Sequence, residues 1–218
     1  VSLLPVQLGE TKQMNVVQTQ LSTTNTTTVC SAKAIVAGTS GVCTLTAVDT
    51  DGNAVVVPGL APAFSVTAHG TSDALDRREV SFSSATGTYT SEFTPHSVGT
   101  LSISFYYSSA DGNLAIGSKK SISVTSAAFH ASSSSIRCAE STGGIVSADV
   151  LTTECRVDAR DQFQNKLRTS NPNVLNSLSG SATIAGAFPV PHSTVVFDKA
   201  LLLYVVTFPP LTQVGAWV

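Results

Sequence analysis

Short runs of alternating apolar and polar residues recur along the chain. Cys43-Thr-Leu-Thr-Ala47, Leu101-Ser-Ile-Ser-Phe105 and Ser121-Ile-Ser-Val-Thr125 each keep a period of two, the pattern of a strand with one buried and one wetted face. Gly, Asn, Asp and Pro punctuate the runs, and no stretch of 12 residues keeps a helical period. The pattern predicts strands near 27–31, 42–49, 62–68, 78–83, 88–94, 100–107 and 118–125, which is the strand density of a β-sandwich. One inner face would carry Cys43, Leu45, Ala47, Phe64, Val66, Val80, Phe82, Leu101, Ile103 and Phe105. That is enough apolar surface for a domain of roughly 100 residues to fold alone.

The pattern occurs twice, with a period of about 108 residues. With Cys30 set on Cys138, residues 6–16 fall on 114–124 without a gap; Gly9 meets Gly117, Lys12 meets Lys120 and Val16 meets Val124. Leu21 then meets Phe129. After a short insertion Cys43 meets Cys155, and Asp49 and Asn53 meet Asp161 and Asn165. Val80 and Phe82 meet Val195 and Phe197, and Tyr89-Thr-Ser-Glu-Phe-Thr-Pro95 meets Tyr204-Val-Val-Thr-Phe-Pro-Pro210. This divides the chain into residues 1–20, matching the last strand of a preceding repeat, a complete domain over 21–126, and a second domain over 127–218. Residues 214–218 match only the opening of a penultimate strand. The expectation is a segment of a longer polypeptide; the alternative is that the leading strand of one copy completes the last domain of the next.

Composition narrows the setting. The chain is 42% apolar but only 12% charged, about half the usual charged fraction. Ser and Thr take the place of charge, which suits an extracellular β-protein. A net charge of -2 supplies no basic footprint, so nucleic acid is not an expected partner. No apolar run reaches the length of a spanning helix, so this segment is not expected to insert into a membrane.

Gly87-Thr-Tyr-Thr-Ser-Glu-Phe-Thr-Pro-His-Ser-Val-Gly-Thr-Leu-Ser-Ile-Ser-Phe105 resembles the filamin-repeat pattern of Gly-x-Tyr, an aromatic, Pro, Gly and an alternating strand. Ala115-Ile-Gly-Ser118 is similar to that family's Ile-x-Gly-Ser-Pro, with Lys119 in the place of Pro. Asp49-Thr-Asp-Gly-Asn53 resembles its Asp-x-x-Gly-Asn turn, which bacterial adhesin immunoglobulin-like repeats share. In the second unit the glycines are lost, with Asp161-Gln-Phe-Gln-Asn165 and with Leu202 in place of Gly87. The resemblance implies tandem immunoglobulin-like, filamin-type antiparallel β-sandwiches. It also implies the adhesive or architectural roles that such repeats have in surface proteins of algae, protists and plant gametes.

The candidate chemistry is sparse. Cys30 and Cys43, and Cys138 and Cys155, take the same two places in each unit, with 12 and 16 residues between them. Equivalent pairs in two diverged units point to two disulfides tying a first strand to a second; buried thiols or a zinc site are the alternatives. Asp49, Asp51 and Asn53 resemble the start of a calcium loop but lack its later Gly and distal Glu, so a turn is the simpler reading. His69, His96, His130 and His192 are scattered, and no Gly-x-Ser-x-Gly elbow or phosphate loop occurs. No catalytic residue, metal ligand or cofactor is therefore assigned. Asn25-Thr26-Thr27 is an N-glycosylation acceptor, and Ser132–Ser135 fill the matching Ser/Thr-rich junction. Phe129, matched by Leu21, is expected to pack at the domain–domain contact and limit bending.

The function these features predict is a non-enzymatic structural or adhesive repeat segment of a larger secreted or cell-surface protein. Its expected partners are proteins, including copies of itself or neighbouring repeats in a filament or coat. A cytosolic filamin-like scaffold and a ligand- or carbohydrate-binding accessory module are the alternatives.

Overall fold

The computed structural model describes residues 20–70, 75–110, 112–138, 153–170, 172–178, 181–182, 190–192 and 194–209. The strand expected from the match of residues 6–16 to 114–124 and the partial strand expected over 214–218 lie outside them.

Nine strands build the first unit: β1 (Thr27–Cys30), β2 (Ala34–Val36), β3 (Gly41–Thr46), β4 (Phe64–His69), β5 (Leu75–Arg78), β6 (Ser81–Ser83), β7 (Thr88–Phe93), β8 (Gly99–Ser109) and β9 (Gly112–Thr125). They form two sheets, in the orders β1-β3-β7-β6 and β2-β9-β8-β4-β5. Period-two alternation sends Cys43, Leu45, Tyr89 and Phe93 inward from the first sheet, and Phe64, Val66, Ala68, Leu101, Ile103 and Phe105 inward from the second; all are buried in one core. Tyr89 lies between Phe64 and Phe82, at ring-centroid distances of 4.5 and 5.2 Å. Its hydroxyl donates to the carbonyls of Val57 (2.9 Å) and Val55 (3.2 Å), so the buried phenol is satisfied.

Two strands differ from the sequence expectation. The strand expected over 78–83 divides into β5, which pairs with β4, and β6, which pairs with β7. Between them the chain crosses from one sheet to the other, and Val80 is buried at the crossing. Strand β2 was not expected. It lies parallel to β9, with Ile35 opposite Val124. Gly117 (φ 65°) brings β9 against β1, where an added Cβ would stand 2.5 Å from Thr28 Oγ1, so only glycine allows that approach.

The second unit repeats half of this plan. Strands β10 (Ser135–Cys138), β11 (Thr153–Asp158), β14 (Thr194–Asp198) and β15 (Leu203–Phe208) form a sheet in the order β10-β11-β15-β14. That is the order of the first sheet of the first unit. A hairpin pairs β12 (Ser181–Ala182) with β13 (Val190–Pro191), and a short helix, α1, spans Pro172–Ser177. Cys155, Val157, Ala159, Leu167, Val174, Tyr204, Val206 and Phe208 are the buried residues of its separate core. Fully buried Tyr204 repeats Tyr89 and is tilted against Phe197 at 5.0 Å.

Two positions keep their backbone conformation although glycine has been replaced. Gly52 has φ 85° and its counterpart Gln164 has φ 69°; Gly87 has φ 66° and its counterpart Leu202 has φ 54°. The left-handed turn is thus retained where the side chain disfavours it, at a cost of about 1–2 kcal/mol per residue.

Candidate functional site

Both cysteine pairs form disulfides, Cys30–Cys43 and Cys138–Cys155. The cysteines of each pair stand directly opposite one another, on β1 and β3 and on β10 and β11. Next to the first pair the Ser31 amide donates to the Val42 carbonyl at 2.8 Å. Cys30 and Cys43 are therefore the alternate, non-hydrogen-bonded pair, where opposing residues come closest. Among the described residues each bridge fastens a sheet-edge strand to its one neighbour in that sheet. Disulfides persist in oxidising surroundings, so this is the chemistry of an extracellular or cell-surface protein.

The two Asp-x-x-x-Asn turns have the same internal geometry. Asp49 Oδ1 accepts from the amides of Asp51 (3.0 Å) and Asn53 (2.8 Å), and Asn53 Nδ2 donates to Oδ2 at 3.0 Å. In the second unit Asp161 Oδ1 accepts from the amides of Phe163 and Asn165, both at 2.9 Å, and Asn165 Nδ2 donates to Oδ2 at 2.9 Å. Asp161 is fully buried and accepts one further bond, from the Ala127 amide of the linker at 2.8 Å. Four N–H groups thus replace water around that carboxylate. Asp49 and Asp161 spend their oxygens on turn N–H groups, the geometry of an Asx turn. Among the described residues no three His, Cys, Asp or Glu side chains gather as a metal site.

The second turn does more than close a loop. Asn165 Nδ2 donates to the His96 carbonyl at 2.6 Å, and Asn165 Oδ1 accepts from the Val98 amide at 3.1 Å. One side-chain amide therefore holds two main-chain groups of the first unit. Beside it the Phe163 ring stacks on the His96 imidazole, with centroids 4.6 Å apart and planes 21° from parallel. Phe163 also packs against the core of the first unit and lies over Gly38, where any Cβ would run into the ring. The receiving loop is anchored, because Pro95 is buried and its carbonyl accepts the Gly38 amide at 2.8 Å. On another side of the joint a cleft of about 310 Å³ opens, lined in part by Val98, Thr100, Ser126, Lys166 and Arg168.

The sequence placed this contact on Phe129 and Leu21. The structure packs Phe129 against the core of the second unit and Leu21 against that of the first. Each bridges the aspartate of its own turn, Phe129 to Asp161 and Leu21 to Asp49. The pairing that fixes Phe129 belongs to its own domain, and Phe163 is an aromatic that packs against the first unit. The available signal was an apolar side chain in a turn otherwise made of polar residues. Of the remaining sequence candidates, Asn25 is exposed in the turn before β1 and Thr27 is exposed at the start of that strand. His130 is held locally by Ser133 and Ser132, at 3.0 and 3.1 Å. No described helix is long and apolar enough to cross a membrane.

No protein-family model and no curated protein matches the chain. Among solved structures it is similar to the Escherichia coli adhesin FdeC, at 18% identity, a TM-score of 0.57, and coverage of 92% of this chain and 59% of that one. The Yersinia pseudotuberculosis adhesin InvE is 21% identical over 89% of this chain and 53% of its own, with a TM-score of 0.43. InvD of the same species is 14% identical over 90% and 54%, with a TM-score of 0.41. The likeness to FdeC shows the fold; the weaker two add nothing to it. The chain is all-β, with immunoglobulin-like antiparallel sandwiches in tandem. The likeness to FdeC is one of fold alone and does not single out the filamin type of algae, protists and gametes.

Proposed function

We propose that the chain is a non-enzymatic adhesive or architectural segment of a larger cell-surface protein, a semi-rigid spacer built from filamin-type immunoglobulin-like repeats. Domain limits of 21–126 and 127–218 fit this reading, with 1–20 belonging to a preceding repeat. The observation that carries it is the joint. Asn165 and Phe163 fix one sandwich on the end of the other by two hydrogen bonds and a ring stack, and disulfides fasten an edge strand in each. A spacer that holds its direction suits fibre, coat or cell-contact architecture, with protein partners that include neighbouring repeats or other copies. Exposed Asn25 is the proposed glycan acceptor.

Two measurements test this reading. An antibody raised against the folded segment should label intact cells without permeabilisation, and beads coated with the segment should adhere to those cells or to one another. Labelling only after permeabilisation, together with four free thiols in the native protein, would instead establish the cytosolic scaffold.

A further inference from the structure

The first unit carries the same turn as the joint, and there the turn is exposed. Asp51, Gly52 and Asn53 all face solvent. The internal bonds that aim the Asn165 amide outward are present again: Asp49 Oδ1 accepts the Asn53 amide at 2.8 Å, Asp49 Oδ2 accepts Asn53 Nδ2 at 3.0 Å, and the Asp49 amide donates to the Asn53 carbonyl at 2.9 Å. Their counterparts in the second unit are 2.9, 2.9 and 3.0 Å. The amide that holds the preceding unit in one case is held in the same attitude in the other. A second N–H of Nδ2 and the Oδ1 lone pairs are left over, since a primary amide has two donors and an acceptor oxygen. Asn53 Oδ1 accepts no hydrogen bond among the described residues. The turn needs no help from outside to form, because Gly52 supplies φ 85° without strain.

We propose that the Asp49–Asn53 turn is the unfilled half of a second joint, and that it docks another immunoglobulin-like unit set ahead of the first. This deepens the surface-spacer reading above. The partner is defined by chemistry: a loop offering a carbonyl and, two residues later, an amide N–H to the Asn53 side chain, as His96 and Val98 do to Asn165. The two joints are not identical. Asp51 stands where Phe163 stands, so the ring stack is replaced by a carboxylate. A partner with a basic or hydrogen-bonding side chain in the place of His96 fits it, and that partner needs no glycine in the place of Gly38.

Duplicating the first unit within the chain tests this. Residues 1–125 followed by residues 18–218 preserve the spacing, because Val17 and Thr125 precede Leu21 and Phe129 by the same number of residues. The first copy then offers His96 and Val98 to Asn53 of the second. Distances between spin labels on exposed positions of the two copies give the joint's order, and labels across the original joint give the reference. The expected result is one narrow distribution at the new joint. Asn53→Ala in the second copy should raise the undocked population about tenfold or more, the loss of two hydrogen bonds. Because that variant also disturbs its own turn, Val98→Pro in the first copy removes the amide N–H from the other side and should have a similar effect. A broad distribution in the parent, or a narrow one that neither variant changes, would overturn the proposal. Either failure leaves the surface reading untouched, since that reading is tested by labelling intact cells and its joint lies between the two original units.

Discussion

Replacing Asn165 by Ala removes the side chain on which the joint turns. Two of its hydrogen bonds cross between units, to the His96 carbonyl at 2.6 Å and from the Val98 amide at 3.1 Å. At a net value of about 1 kcal/mol each, docking weakens by about 2 kcal/mol, a factor of roughly 30 in the ratio of undocked to docked molecules. The third bond runs to Asp161, whose carboxylate is fully buried. Losing a donor to a buried charge adds about 1.5–3 kcal/mol to the cost, but within the second unit alone. The two losses are separable. Amide exchange at Val98 reports the joint, because the acceptor for that N–H has gone, while thermal unfolding of the second unit reports the turn. Val98 exchange should rise by about thirtyfold where opening of the joint limits it, and small-angle scattering should broaden. Asn165→Asp sharpens the test: in place of the amide N–H groups it sets an oxygen against both the Asp161 carboxylate and the His96 carbonyl. It should loosen the joint more than Ala does, although it is nearly the same shape. Unchanged Val98 exchange in the Ala variant, or an Asp variant that behaves like the parent, would refute the assignment of the joint to this amide.

Gly38→Ala should loosen the same joint from the other side and lower first-unit stability by about 1–2 kcal/mol, since its φ is +81° and its Cβ would enter the Phe163 ring; adding Phe163→Ala should relieve the steric part in a double-mutant melting cycle. Gln164→Gly and Leu202→Gly should each stabilise the second unit by about 0.5–1 kcal/mol in chemical denaturation, because both residues hold positive φ and the released strain exceeds glycine's added chain entropy. Burial raises the Tyr89 phenol above its ordinary value of 10.0, against a smaller opposing effect of the Val57 backbone hydrogen bond. Folding stability should therefore be intact below pH 10 and fall as pH rises from there through the folded value, and Tyr89→Phe should flatten that fall in melts from pH 8 to 12 while costing about 1 kcal/mol at neutral pH. Replacing either cysteine pair by serine should lower the stability of its unit by about 3 kcal/mol in non-reducing melts, with no added effect of reductant at that site.

The sandwich was legible because its strands are half-buried, and half-burial writes period two into the sequence. Cys43, Leu45, Leu101, Ile103 and Phe105 are all in the core where alternation put them. Strand β2 was not legible: Ala34-Ile-Val36 is too short to show a period, and it exists only because β9 lies alongside it, far away in sequence. The crossing at Val80 was hidden for a related reason, since one continuous alternating run serves two sheets. The repeat made the cysteine pairs visible, but it did not bring out Phe163 and Asn165 at the joint. An apolar residue next to a linker can turn towards either neighbour, and nothing local distinguishes Phe129 packing on its own domain from Phe129 packing on the other. Phe163 carried a better signal as an aromatic in the place of Asp51. The lost glycines at Gln164 and Leu202 read as divergence of the turns, whereas the backbone stayed and the side chains bear the strain.

The disulfides have a consequence for how the molecule yields under load. Each joins residues facing one another on adjacent strands, with sequence separations of 13 and 17. When a pull along the chain unravels a sandwich, the segment enclosed by the bridge is bypassed: tension passes from sulfur to sulfur. Roughly 45 Å of the first unit and roughly 60 Å of the second are thereby withheld from extension. Reduction would release both lengths, so the reach of the stretched chain depends on the thiol chemistry around it as well as on the applied force.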